Sequence, residues 1–327
     1  MLKLVRNHSP FTVLILFIYC LLLHLPGLMR PLPPQAGDAV YSAVLAIPDF
    51  LFHGNAFCYS LLAVVMLFMQ GVYLNGIAER RRLYLQSTYV PLFCAVSVSA
   101  LLPANAVFSP VLLALWPVLW ALDLILAFPQ PQHPRANIFN AGFLLSLAAL
   151  IYFPAIGFLL LFIIALLLFR PLNAGEWIVG LLGYMTPFYF TAGILFLTDH
   201  LALVRGWPAL GISLPRQMNH PVYLSVMIGG VAALLWSGLY ALQGALSRMA
   251  ISVRRGWGAV VVSLAIGCII AVLSPFKEPA PWRIAAPIIA LVAALPVANE
   301  KRGAFSTFIF LLMLAMAVFG AVVSPHQ

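Results

Sequence analysis

The chain has 327 residues, of which 64% are hydrophobic and 8% are charged. An ordinary soluble domain has about 45–50% apolar and about 25% charged residues, so this composition indicates a membrane protein and excludes the soluble enzyme classes. Seventeen Lys and Arg against eight Asp and Glu give a net charge of +9. We interpret this excess as the basic bias of cytoplasmic loops and not as a nucleic-acid surface.

Apolar runs follow one another along the whole chain with short polar connections between them. Since a span needs about 20 apolar residues, or fewer where protein covers the helix, we predict an all-α, polytopic membrane protein with about eleven transmembrane helices. The predicted segments are 11–29, 56–78, 89–102, 107–128, 138–153, 156–169, 177–197, 222–246, 258–273, 284–298 and 304–323. The first run is long enough to span, and we therefore expect it to remain in the protein and not to be cleaved as a signal peptide.

The positions of the basic residues predict the orientation. With the N-terminus inside, twelve of the seventeen Lys and Arg fall in cytoplasmic loops, and the inverse threading reverses this bias. Lys and Arg are enriched in the cytoplasmic loops of membrane proteins. We therefore expect a multi-pass protein of the bacterial inner membrane, in contact with the lipid bilayer, with a cytoplasmic N-terminus.

One short pair of segments has two interpretations. Residues 138–169 form either a hairpin or a single long helix, because no polar residue separates the two halves. Pro154 and Gly157 favour a break, so we predict the hairpin.

Two outer loops are long and rich in polar residues. The first covers residues 30–55, and its apolar middle, residues 39–52, is too short to span comfortably. We predict a helix lying at the outer interface there. The second loop covers residues 198–221, where we also expect interfacial structure.

These loops contain the residue types that could carry chemistry. Carboxylates beside histidines are suited to act as a general base, a divalent-metal site or a proton relay, although ordinary solvated loops also contain them. The candidate catalytic residues are Asp38 as the base, Asp49, Asp199 and His200. The candidate substrate-binding residues are Arg30, Tyr41, His53, Arg205, Arg216 and His220.

Asp123 is the one acidic residue inside a predicted span. A carboxylate in the bilayer suggests function because its charged form is costly there, so Asp123 could line a transport pathway. Pairing with Arg135 or Arg170 near the inner boundary is the alternative.

Cofactor signals are few. The sequence contains no nucleotide-binding fingerprint, and the four cysteines show no Cys-x-x-Cys spacing that would indicate a zinc site. The carboxylates of the outer loops could still bind a divalent metal ion.

The order of these parts resembles the membrane core of the GT-C type glycosyltransferases. The matching stretches are Gly37-Asp38-Ala39-Val40-Tyr41 after the first span and the run from Asn140-Ala141-Gly142 to Pro154 and Arg170. The resemblance covers residues 1–197 and implies a transferase that uses a polyprenyl-phosphate-linked sugar at the outer leaflet, with Asp38 as base. The chain also resembles a bacterial family of polytopic inner-membrane proteins with no assigned activity.

The sequence is therefore consistent with three functions. The first is the GT-C-like transferase, the second a transporter or flippase for a lipid-linked or anionic molecule, and the third a structural subunit of a membrane complex in the envelope. We treat residues 1–327 as one transmembrane domain, with the GT-C-like part at 1–197, the outer loop at 198–221 and C-terminal helices at 222–327.

Overall fold

A computed structural model describes residues 5–6, 9–101, 107–129, 134–170, 173–200, 221–274, 280–299 and 303–323. Within these ranges the protein is all-helical, with thirteen α-helices and no strand. The helices are α1 Pro10–Leu23, α2 Leu25–Met29, α3 Ala39–Phe52, α4 Ala56–Arg80, α5 Val90–Ser99, α6 Pro110–Ala127, α7 Pro134–Ile151, α8 Phe158–Phe169, α9 Ala174–Leu197, α10 Pro221–Leu246, α11 Ile251–Val272, α12 Ala286–Asn299 and α13 Ala304–Val323.

Seven of these helices are long and apolar enough to cross a membrane, namely α4, α6, α7, α9, α10, α11 and α13. Five further apolar helical stretches of 10 to 17 residues are shorter than a lone span requires. The architecture is compatible with a multi-pass membrane protein, and the described residues contain fewer full-length candidate spans than the eleven that the sequence predicts.

Two short apolar helices, α5 and α12, lie at the centre of the bundle. Twelve of the 14 residues of α12 are buried, as are nine of the ten residues of α5. At 1.5 Å per residue, α12 is about 21 Å long and α5 about 15 Å, less than the roughly 30 Å of a hydrocarbon core. Their length is tolerated because neighbouring helices, chiefly α10, α13 and α4, cover them.

Helices are interrupted at two places where a proline disfavours a continuous helix. The predicted first segment is not one helix, because α1 ends at Leu23 and α2 resumes for five residues that include Pro26. The predicted break in residues 138–169 is confirmed, since a 3₁₀ turn at Phe153–Gly157 separates α7 from α8. The predicted helix at residues 39–52 is also present, as α3.

Glycines bring α7 and α9 into close contact. A Cβ added to Gly183 would lie 2.3 Å from the carbonyl oxygen of Phe139, and one added to Gly142 would lie 2.7 Å from that of Gly180. Neither helix could approach the other this closely with a larger residue at these positions. This is the small-residue packing typical of helices in membranes.

Hydrogen bonds between connecting segments define two opposite ends of the bundle. At one end, the Tyr89 N–H donates to the carbonyl of Val5. At the other, the Gln35 N–H donates to the carbonyl of Phe108. The first is called the basic end, because it carries nine of the eleven described arginines: Arg6, Arg80, Arg81, Arg82, Arg135, Arg170, Arg248, Arg254 and Arg255. The second, with Asp38, Asp49 and Asp199, is called the acidic end.

Candidate functional site at the acidic end

Asp38 connects two distant parts of the chain. It occupies the position before the first turn of α3, yet its side chain makes no capping bond to its own helix. Its carboxyl instead lies close enough to the backbone N–H of Phe153, the first residue of the 3₁₀ turn between α7 and α8, for that N–H to lower its pKa. The stretch at residues 37–41 and the proline-containing hairpin, both singled out in the sequence, therefore meet at this carboxylate.

The environment of Asp38 favours its protonated form. Partial burial raises the pKa of this carboxyl above its ordinary value, and the Phe153 N–H offsets part of that effect because it stabilises the charged form. A carboxylate of raised pKa is a better proton acceptor near neutral pH than a fully solvated one.

Tyr41 does not face an open site, in contrast to its predicted role in substrate binding. Its side chain is fully buried, and its hydroxyl donates to the carbonyl of Phe108 at 3.3 Å. A Cβ on Gly37 would lie 2.5 Å from the Tyr41 ring, so only glycine leaves room for this packing. Tyr41 therefore anchors α3 to the bundle.

Asp49 lies on α3 as well, but it does not converge with Asp38. The two residues are separated by eleven positions, which is roughly 16 Å along a helix axis. The Tyr59 hydroxyl, at the start of α4, donates a short hydrogen bond to the Asp49 carboxylate. His53, predicted beside these acids, ends α3 in a left-handed conformation with φ 49° and is exposed. Asp49 and His53 thus belong to the turn between α3 and α4.

The remaining candidates at this end are exposed or lie outside the described ranges. Arg30 follows α2 and is exposed. Asp199 and His200 follow α9 and are exposed, and the His200 ring donates from Nδ1 to the carbonyl of Thr198 at 2.5 Å. Arg205, Arg216 and His220 lie in residues 201–220, outside the described residues.

Asp123 belongs to the basic end, and its predicted partners are wrong. Its carboxylate accepts from Arg81 Nε at 2.8 Å and from Arg80 Nη2 at 2.7 Å, with the Tyr73 hydroxyl at 3.3 Å. Arg170, one of the partners suggested by sequence, lies instead 3.8 Å from Glu176. Asp123 therefore links α6 to the end of α4 through salt bridges.

One charged side chain of the acidic end was not selected by the sequence pattern. Arg283 lies in the 3₁₀ helix Ala280–Ile284 before α12, and only 3% of it is exposed. Its place within a proline-rich connection is the one sequence signal that could have identified it. An arginine in such a connection is usually interpreted as a surface anchor, so the signal is weak.

The cavities found among the described residues are not lined by the candidate catalytic and substrate-binding residues. One of them, with a volume of about 650 Å³, is an open apolar groove along one side of α13. Its lining consists of Leu311, Leu314, Ala315, Val318, Phe319 and Val322. Within the described ranges, no three His, Cys, Asp or Glu residues are placed to hold a metal ion together.

Comparisons with protein-family models, with curated proteins and with solved structures found no match to this chain.

Proposed function

We propose that the chain is a GT-C-like transferase that handles a polyprenyl-phosphate-linked sugar at its acidic end, with Asp38 as the general base. The observation that carries the proposal is that the start of α3 packs beside the end of α7, with the Asp38 carboxyl close enough to the N–H of Phe153 for its pKa to be lowered by it. It unites the two stretches on which the resemblance to GT-C glycosyltransferases rests, although 115 residues separate them (153 − 38 = 115).

The surface of α3 supports access from the lipid. Ile47, Phe50 and Leu51 are 66%, 80% and 67% exposed. Their spacing of three and four residues places them on one face of the helix. An apolar face of this kind favours a position at the boundary between headgroups and acyl chains. A lipid-linked substrate would therefore reach Asp38 by lateral diffusion within the leaflet that α3 contacts.

In this proposal Asp38 removes a proton from an acceptor hydroxyl as that oxygen attacks the sugar carbon linked to phosphate. The bond from this carbon to the phosphate oxygen breaks, and the polyprenyl phosphate leaves with the electron pair. The partly buried carboxylate fits this role because its pKa is raised. Arg30, exposed at the same end, is suited to pair with the leaving phosphate.

The arginine distribution supports an orientation for this chemistry. With nine described arginines at the basic end, the positive-inside rule favours a cytoplasmic basic end and an outward acidic end, in the inner membrane of a bacterium. One cysteine at a time, at the exposed positions Ser42 and Arg255, would report on it after Cys58→Ser and Cys268→Ser remove the two partly exposed thiols. A membrane-impermeant maleimide should label Ser42→Cys but not Arg255→Cys in intact cells, and the opposite pattern would refute the orientation.

The central experiment compares Asp38→Asn with Glu79→Gln in a strain that lacks the native gene. Both substitutions remove one carboxylate, and Glu79 lies at the basic end, where its carboxylate accepts from Ser87. Lipid-linked sugars are measured by mass spectrometry, with membrane levels of each variant matched. The transferase predicts that Asp38→Asn accumulates the lipid-linked donor as the gene deletion does, whereas Glu79→Gln restores the parental pattern.

A parental pattern in Asp38→Asn at normal membrane level would refute the transferase and favour a structural subunit of an envelope complex. The same conclusion follows if the deletion strain itself accumulates no lipid-linked sugar.

A further inference from the structure

Arg283 is a buried cation whose hydrogen bonds are incomplete. Its Nη1 donates to the carbonyl of Val107 at 3.0 Å, while Nε and Nη2 have no acceptor in the described part of the chain. Only 3% of the residue is exposed. Buried donors are nearly always paired in folded proteins, so two unpaired donors on one guanidinium indicate that this group has a further ligand.

Arg283 lines a small cavity between α4, α5, α6 and the start of α12. The cavity has a volume of about 30 Å³. Its other polar lining residues are Gln70, whose amide donates to the carbonyl of Leu112 at 2.7 Å, and Ser99, whose hydroxyl donates to that of Val96 at 2.7 Å. The rest of the lining is apolar, and none of the described lining residues carries a negative charge.

The charge in this cavity is therefore unbalanced. Burial lowers the pKa of Arg283 to about 10, which still leaves the side chain protonated at neutral pH. An isolated buried charge is strongly destabilising unless an opposite charge or several hydrogen bonds compensate it. A negative ion beside Nε and Nη2 would do both.

The size of the cavity restricts the ligand. A volume of 30 Å³ is about two to three times the roughly 10–15 Å³ that one water molecule requires. A phosphate group or a lipid headgroup is too large for it, but a single monatomic anion fits. We propose that Arg283 binds one halide ion, of the chloride class, in this cavity, as a structural ligand of the bundle.

Thermal unfolding of the purified protein in detergent tests this site without any assay of activity. Sodium chloride and sodium bromide are compared with sodium gluconate at equal ionic strength, because gluconate is too large for the cavity. The halides should raise the thermal midpoint by several degrees in a saturable manner. Arg283→Met should abolish this dependence, whereas Arg30→Met, which removes an exposed arginine at the same end, should retain it.

A second measurement keeps the proposal testable if Arg283→Met does not fold. Crystals of the parent protein grown in bromide should show an anomalous scattering peak within about 3.5 Å of the Arg283 guanidinium. Equal midpoints in chloride and gluconate, a chloride effect that persists in Arg283→Met, or a bromide map without that peak would each overturn the proposal. None of these outcomes depends on whether Asp38 is catalytic.

Discussion

Arg81 and Asp123 form a salt bridge between the basic end of α4 and α6, with Nε 2.8 Å from Oδ1. The second carboxylate oxygen accepts from Arg80, whose guanidinium also lies 5.3 Å from the centre of the Tyr73 ring. One carboxylate is therefore shared by two adjacent arginines. This arrangement explains why an aspartate is present near the end of an otherwise apolar helix, and it requires no transport pathway.

The shared carboxylate predicts a stability effect. Asp123→Asn removes the charge that both arginines face, and we expect a loss of about 1–2 kcal/mol, since both arginines are partly exposed and solvent weakens each pair. Arg82→Gln is the matched control, because Arg82 belongs to the same run but is exposed. Thermal unfolding in detergent measures both. Equal midpoints for Asp123→Asn and Arg82→Gln would contradict the assignment.

The contact between α7 and α9 predicts that Gly183 cannot be replaced by alanine without loss of stability. A Cβ at this position meets the Phe139 carbonyl oxygen at 2.3 Å, so the helices must separate. Overpacking of this kind typically costs about 1–3 kcal/mol. Gly193→Ala on the same helix is the control, because a Cβ there has nothing within 4 Å. If the two alanine variants unfold at the same temperature, the close packing described here is wrong.

The hydrogen bond from Tyr59 to Asp49 predicts the mobility of α3. Tyr59→Phe keeps the ring, which packs edge-on against Phe52 at 5.5 Å, but removes the donor. We expect the C-terminal half of α3 to open more often, by a free energy of about 1–2 kcal/mol. Amide hydrogen exchange should therefore be faster in residues 46–53 and unchanged in α6. Tyr189→Phe, at a residue that is 75% exposed, should leave both rates at parental values.

The raised pKa of Asp38 predicts how stability depends on pH. A group whose pKa is higher in the folded than in the unfolded state stabilises the fold below its unfolded pKa, and that contribution is lost as the pH rises through the folded pKa. At neutral pH, Asp38→Asn should therefore be at least as stable as the parent, because asparagine is uncharged and can still accept the Phe153 N–H. The difference should vanish below the ordinary aspartate pKa of about 4.

This comparison also separates function from folding. A lower thermal midpoint of Asp38→Asn at pH 7 would contradict the argument from burial. In that case a loss of transferase activity in Asp38→Asn could come from misfolding. The activity of Asp38→Glu, which keeps the carboxylate, would then have to be measured before the loss is assigned to catalysis.

Local patterns predicted the elements that depend on local sequence. The bounds of α3 match the apolar stretch at residues 39–52 that predicted it, and the turn after the helix contains Gly54, whose φ of 75° suits glycine. The break after α7 follows from Pro154. Both signals lie within a few residues of the structure that they specify.

Partnerships between distant helices could not be predicted in the same way. Arg80 and Arg81 are 43 and 42 residues from Asp123, and a run of three arginines after an apolar segment is equally well explained as a signal for membrane topology. Arg283 resembled a surface anchor because its burial depends on α4, α5 and α6, which are remote in sequence. Tyr41 resembled a ligand-binding residue because its acceptor, the Phe108 carbonyl, is a backbone group 67 residues away.

The position of α12 has a consequence for biogenesis. A 14-residue helix that neighbouring helices cover has no stable place in lipid by itself, since it is too short to match the bilayer and its ends would leave backbone groups unsatisfied there. It must therefore leave the translocon together with a neighbour, or enter the bundle after α4 to α10 have assembled. α12 therefore completes a core to which the earlier helices α4, α5 and α10 also contribute.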